Sequence, residues 1–585
     1  MKTPKSPSLS FLRPYAFLVI LAPLLKVIEC ITELAVPFLV RAVIDQGLTP
    51  PDLNGIYGSH YHENGYIFGL LSLVFVFALV GFSLTMISQY LASRVSTDYG
   101  YALKESLYDA ILRRDPSSID RIGKGKTLNL LTSDAYALQV GVQQFMRLMV
   151  RAPFLVMGSV AAAFFVNVYA GYAVLASLAC CAVVIFVVLK LTPKRYSALQ
   201  SELDAISAFG EEATSGGRVI RAFNKEEKEA SRFLAQSEKY RKMAMGIVRI
   251  NSFINPLTFA FVNFATIAII YLGSFAFPST GLSVGSIVAL ISFLTQSLAA
   301  LLQFTRLVTS MSKAFASKKR VDSFLLTPVA IQEGNYEGNG KEGTPLFEFD
   351  HVSLSFGGEK NAVDNISLTV EEGQSVGIIG GTGSGKSTLL SLMERFLDPT
   401  EGEIRFRGIP LKEWKFSSFR GQIALVSQKP QIFHGTLRDN IVLPGATPSE
   451  EEISKAIRDS LCEEFFSHYS DGLDHVVEEG GTNLSGGQKQ RLLLARAFLS
   501  KRKILFLDDA TSALDYKSDL AVRNAIASQT GMTLVMVSQR ASSIKDCDLI
   551  YVLDGGKVVG RGTHDSLLSS CPIYREIYEA QVNAK

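Results

Sequence analysis

The stretch Ser375–Phe396, SVGIIGGTGSGKSTLLSLMERF, decides the fold of the second half of the chain. A β-branched apolar run, Val376–Ile379, enters a glycine-rich loop and leaves it as a helix-forming segment. The spacing G-x-x-x-x-G-K-S runs from Gly380 to Ser387. In such a loop the backbone amides of Gly380, Gly381, Thr382, Gly383, Ser384 and Gly385, with the helix start at Ser387 and Thr388, cradle phosphates. Lys386 reaches the terminal phosphates, and the Ser387 hydroxyl can ligate magnesium. The strand before the loop and the helix after it separate this match from a chance run of glycines.

Two further landmarks follow. In NLSGGQKQRLLLARAFLS (483–500), Ser485, Gly486, Gly487 and Gln488 open a helix whose first turn has free amide donors, a second anion site. In ILFLDDATSALD (504–515), an apolar strand ends in Asp508 and Asp509. A carboxylate at a strand end is a magnesium ligand, and the next acid is placed to orient an attacking water. Upstream, IQEGNYEGNGKEGTP (331–345) reads as part of a linker spanning 326–345. Short strands alternating with helices fill 346–585, an α/β domain.

The first 325 residues differ in kind. Hydrophobic residues make up 48 % of the 585, and the apolar stretches long enough to cross a bilayer all lie before residue 320. Six spans are expected, near 15–47, 66–110, 128–166, 168–209, 247–276 and 284–320, an all-α membrane domain. Residues 48–66, 167–171 and 274–284 lack Lys and Arg, whereas 94–126 and 190–249 are rich in both. The positive-inside rule therefore puts the N-terminus, both long loops and everything after 320 in the cytoplasm of a multi-pass inner-membrane protein. The stretch from Tyr15 runs too long for a signal peptide. Six cysteines show neither metal spacing nor a disulfide framework, and a net charge of +3 gives no reason to expect nucleic acid.

Pro116 with two glycines, and the Gly216–Gly217 pair, break the cytoplasmic ends of long helices, as either transverse docking helices or solvated turns. In the first span Lys26, Glu29 and Glu33 fall on one helical face. They are either an ion pair closing the bundle or the lining of a transport path. Gln296, Gln303 and Arg306 in the sixth span read as helix-packing residues.

Gly380–Ser387, Leu484–Gln488 and Ile504–Asp515, in this order, resemble an ATP-binding cassette, and six spans followed by one cassette resemble a bacterial ABC exporter half-transporter. The resemblance implies that Gln428, in LVSQKPQIF, is the Q-loop residue near magnesium, that Phe356, in LSFGG, stacks on adenine, and that Asp515 belongs to the composite site. It implies ATP and Mg2+ as ligands, coupling helices near 113–121 and 211–223, and two cassettes associating head to tail. Each ATP then lies between one chain's phosphate loop and the other chain's signature. The cargo class is amphipathic drugs, lipids or peptides.

Two residues depart from that family. Asp509 stands where a glutamate orients the water, and Gln539, in TLVMVSQRASS, stands where the family has a histidine. Losing one methylene withdraws the carboxylate by about a bond length, and a displacement near 1 Å can cost about a hundredfold in rate. Gln bonds the γ-phosphate but cannot become cationic. With LSGGQ intact, the expectation is a heterodimer in which this chain hosts a degenerate site and completes a competent one. An importer of metal chelates on the same scaffold, or an ATP-gated channel or regulatory subunit, are the alternatives; the spans exclude a soluble cassette acting on ribosomes or DNA.

Overall fold

Inside a bilayer every backbone N–H and C=O needs a partner within its own segment, so long apolar runs fold as helices. The computed structural model describes residues 6–50, 58–271, 282–358, 360–511, 514, 516–528 and 531–582. Among these, six helical stretches are long and apolar enough to cross a membrane: Pro7–Leu48, Asn64–Leu112, Lys124–Val166, Val168–Ser215, Glu226–Tyr271 and Val284–Leu326. At about 1.5 Å per residue the longer ones exceed about 70 Å, more than twice the hydrocarbon thickness, so each extends well beyond the apolar layer.

The helices outrun the expected spans because polar residues continue a helix as well as apolar ones do, and a single breaker such as Gly210 is tolerated within it. The fourth continues past Gly210 to Ser215 and stops at the Gly216–Gly217 pair. The fifth begins at Glu226, twenty-one residues before its apolar part at 247, and is interrupted at Phe253. Its expected end, 272–276, lies outside the described residues.

Polar caps fix the helix starts. The Asn167 side chain accepts from the N–H groups of Tyr169 and Ala170, opening the fourth helix. The Asp45 carboxylate, at the end of the first stretch, accepts from the Ser283 hydroxyl at 2.5 Å and the Gly285 N–H at 2.9 Å, which ties it to the start of the sixth. Short helices also form at both breaks. Pro116–Ile122 is capped by Asp115 and ended by Gly123 at φ +93°; Gly217–Ala222 follows Gly216.

The chain divides into two compact units, one of Met1–Leu112 with Lys124–Pro328, the other of Arg113–Gly123 with Val329–Lys585. The second unit contains a four-stranded antiparallel sheet, Val363–Val370, Phe347–Leu354, Glu401–Phe406 and Ile409–Pro410 in spatial order. A six-stranded sheet has the order Lys557–Gly562, Leu549–Asp554, Ser375–Gly380, Thr533–Ser538, Ile504–Asp508, Ile423–Val426. It is parallel except at the Lys557–Gly562 edge. Phe347, Phe406, Trp414, Phe419 and Phe506 are buried together, tilted or edge-on at 5.0–6.3 Å between ring centroids, and form one core of this unit.

The segment read as a linker belongs in part to this unit. Tyr336 N–H donates to Glu413 O at 2.8 Å, Gly334 N–H to Trp414 O at 3.2 Å, and the buried Arg395 guanidinium to Gln332 O at 2.6 Å. Its Gly, Glu and Asn content suggests a free tether, but its backbone is pinned from Gln332 onward.

Candidate functional site

Parallel strands send their carboxyl ends to one edge, and in open α/β sheets that edge holds the ligand. Here Ser375–Gly380, Thr533–Ser538, Ile504–Asp508 and Ile423–Val426 are lateral neighbours, with Ser538 opposite Ile379, Val537 opposite Asp508 and Val426 opposite Leu507. The residues that follow these ends are Gly381–Lys386, Gln539, Asp509 and Gln428. The register therefore assembles one site from four separate parts of the sequence.

The phosphate loop needs its glycines for backbone reasons. Gly383 and Gly385 take φ of +80° and +97°, and Gly385 is the cap of the helix Lys386–Met393. A Cβ on Gly380 would lie 2.2 Å from Leu553 O. Lys386 is buried, and its ammonium donates to Gly380 O at 2.9 Å and Gly381 O at 2.7 Å, folding back over the loop. Burial pushes the lysine pKa down, against the pull of Asp509 and Asp508.

The Ser387 hydroxyl donates to the Asp508 carboxylate at 3.4 Å, so two hard oxygen donors meet beside the loop. Magnesium with a nucleotide takes few protein ligands and completes its shell with phosphate oxygens and water, which this pair fits. The buried Ser384 hydroxyl has no hydrogen-bond partner among the described residues, a polar atom in the loop with capacity to spare.

Asp509 has φ +48°, a left-handed conformation that Asp tolerates better than most residues, and its N–H donates to Val537 O at 2.9 Å. Burial pushes its carboxyl pKa up. The Gln539 backbone N–H, Arg540, Lys386 and the Gln428 side chain act the other way. The structure thus brings Asp509, Gln539 and Gln428 together. Burial also raises Asp508, with Asp509 adding to the rise and the Ser387 hydroxyl opposing it.

Phe356 is 66 % exposed, a ring free to be covered. Ser485 caps the helix Gly486–Leu499 in a reciprocal box with Gln488: the serine hydroxyl takes the Gln488 N–H, and the Gln488 side chain takes the Ser485 N–H at 2.8 Å. Ser485 and Gly486 are exposed. Among the described residues no hydrogen bond joins 485–488 to 380–388. Asp515 lies outside the described residues.

Glu394, at the end of the phosphate-loop helix, was not singled out by sequence. It is buried, its Oε1 has no hydrogen-bond partner among the described residues, and burial lifts its pKa to about 8, with Asp508 adding and Arg420 opposing. A charge following Leu389, Leu390, Leu392 and Met393 was the available signal.

In the membrane unit Lys26 and Glu29 form an i, i+3 ion pair, and both are buried. Glu33 pairs instead with Arg151 at 3.0 Å; Arg151 also lies 3.5 Å from Glu29 and donates to Gln303 at 2.9 Å. Arg151 was missed, although an arginine beside the apolar run APFLVMG is itself unusual.

Comparison with known proteins agrees with this architecture. Residues 19–301 match the ABC transporter transmembrane region and residues 363–512 the ABC transporter family. Similar proteins include an uncharacterised ABC transporter ATP-binding protein of Mycobacterium tuberculosis, 30 % identical over 97 % of both chains. One of Bacillus subtilis is 29 % identical over 98 % of both. The ATP-dependent lipid A-core flippase of Haemophilus ducreyi is 28 % identical over 97 % of this chain and 96 % of the flippase. The fold is similar to that of a bacterial Atm1-family ABC exporter with ATP bound, with a TM-score of 0.79 at 21 % identity over 97 % of this chain and 98 % of that one. The chain belongs to the ABC transporter family, with a six-helix membrane unit of the exporter fold and an ATP-binding cassette that couples ATP hydrolysis to transport.

Proposed function

We propose that this chain is the degenerate-site half of a heterodimeric ABC exporter in a bacterial inner membrane, carrying an amphipathic cargo outward by alternating access. The observation that carries the reading is the convergence of Asp509, Gln539 and Gln428 at one sheet edge, with the short acid and the uncharged amide on the same site. The capped Ser485–Gln488 turn, exposed at Ser485 and Gly486, is intact and supports a role in completing the partner's site. The full-length flippase relative supports a lipid-like cargo.

At this chain's own site the loop amides and Lys386 bind and orient the nucleotide phosphates. Ser387 and Asp508, with Gln428 nearby, would hold Mg2+, which when bound neutralises phosphate charge. Asp509, one methylene short, holds a water too far back for fast attack. Gln539 donates a neutral hydrogen bond where a cation would better stabilise the developing charge. On this reading 113–121 and 211–223 act as coupling helices, the N-terminus and cassette are cytoplasmic, and the partner supplies Glu and His.

The test compares Asp509→Asn with the matching Glu→Gln change in the partner, in the purified complex. The partner change should abolish nearly all ATPase activity, and Asp509→Asn should leave at least about half. Equal losses would overturn the reading.

A further inference from the structure

The membrane unit contains a polar cavity of about 440 Å³ whose charges do not balance. Lys26, Arg147, Arg151 and Arg306 line it, against the single carboxylate of Glu29. Lys26 and Arg151 are engaged with Glu29, Glu33 and Gln303. Arg147 and Arg306 make no ion pair or hydrogen bond among the described residues. Arg147 stands one helical turn before Arg151, and Arg306 one turn after Gln303. The two unpaired guanidiniums thus flank the Arg151–Gln303 hydrogen bond.

Charges in a membrane-spanning segment are costly without a counter-charge or water, and intramembrane cations are commonly functional. A second cavity of about 420 Å³ shares Glu29 and Arg151 with the first, and Val36, Phe77, Ala78 and Phe82 give it an apolar wall. Next to one another, then, lie a surplus of fork-shaped cations and an apolar surface. Guanidinium forks match phosphate or carboxylate oxygens in pairs.

We propose that these two cavities form a binding site for an amphipathic anion, with Arg147 and Arg306 taking a phosphate-type head and the Val36–Phe77–Phe82 wall taking the apolar tail. The proposal rests on the exporter reading above and names the class of its cargo. Glu33 and Glu29 hold Arg151 and Lys26 in place and repel a second acidic group from that end. Arg306, read from sequence as a packing residue, becomes a ligand contact.

The test is equilibrium binding without nucleotide, by calorimetry on the full-length complex in a neutral maltoside detergent. The probes are dodecyl phosphate, dodecyltrimethylammonium and inorganic phosphate. Two charge-assisted forks imply that dodecyl phosphate binds at least about tenfold tighter than dodecyltrimethylammonium. Arg147→Gln with Arg306→Gln should reduce that ratio to below about twofold, and the two arginines changed to lysine should retain most of it. Should the double glutamine variant fail to fold, Arg306→Gln alone, at an exposed position, should weaken dodecyl phosphate binding about fivefold.

Equal binding of the two amphiphiles overturns the proposal, as does an anion preference that survives the glutamine changes. Inorganic phosphate competing at the same concentration as dodecyl phosphate overturns the amphipathic part and points to a soluble anion. Because no ATP is hydrolysed here, a negative result leaves the asymmetric-site reading standing. Conversely, equal ATPase losses in the earlier test leave this binding result intact.

Discussion

Replacing Glu394 by Gln should stabilise the protein increasingly as pH rises. Glu394 is buried, and its pKa is lifted from 4.5 in the free side chain to about 8 in the folded state. Between those values the folded protein holds a proton that the unfolded chain has released, so this group's contribution to stability is complete below about 4.5 and declines as pH rises through the window. The slope is about 1.4 kcal/mol per pH unit, giving at most about 2.7 kcal/mol between pH 5.5 and 7.5. Glutamine keeps the shape and does not titrate. For a unit of about 250 residues that difference corresponds to roughly 5–10 °C in Tm. Thermal unfolding of the detergent-solubilised wild type and Glu394→Gln, from pH 5.5 to 8.5 without nucleotide, reads it directly. Asp508 and Asp509 titrate in both proteins and largely cancel. The gap should widen up to about pH 8 and then level off. Parallel curves across the window would refute the argument, because they would mean that Glu394 is ionised in the folded state or reached by water.

Two further outcomes are expected. Asp509→Glu with Gln539→His, in a complex whose partner carries the silencing Glu→Gln change, should raise the residual ATPase rate about ten- to a hundredfold, with Gln539→His alone giving a smaller gain. Arg151→Ala should destabilise the membrane unit by about 3–5 kcal/mol, seen as lower yield and Tm, because Glu33 loses its counter-charge and Glu29 is left with Lys26 alone; adding Glu33→Gln should restore part of it.

What sequence made legible here is mostly local. The loop Gly380–Ser387 carries its own geometry in its glycines, and the six apolar stretches leave a bilayer-facing chain no other fold. Order along the sequence also singled out Gln428, Asp509 and Gln539, although their meeting depends on strand pairings that no local pattern specifies, Ile423 beside Ile504 and Ile504 beside Thr533. What stayed hidden depends on contacts that no local pattern encodes. The importance of Arg151 comes from Glu33, 118 residues earlier in the chain. Glu394 looks like an ordinary helix-end acid until folding buries it beside Asp508 and Arg420. Residues 332–337 have a tether's composition, yet Glu413 and Trp414 hold them. The helices extend past the expected spans for a related reason, since hydropathy fades before the helix itself ends.

The left-handed backbone at Asp509 has a consequence for how such a site evolves. A positive φ is paid for by any L-residue, but least by Asn and Asp, whose short side chains bond to nearby backbone. A glutamate there is kept only while selection demands its reach. On the proposed reading, in which the partner turns over the ATP, that demand lapses, and mutation drifts toward the residue the turn prefers. The aspartate is then the local optimum of a released position, and a return to glutamate must climb a small conformational slope before any gain in rate is felt.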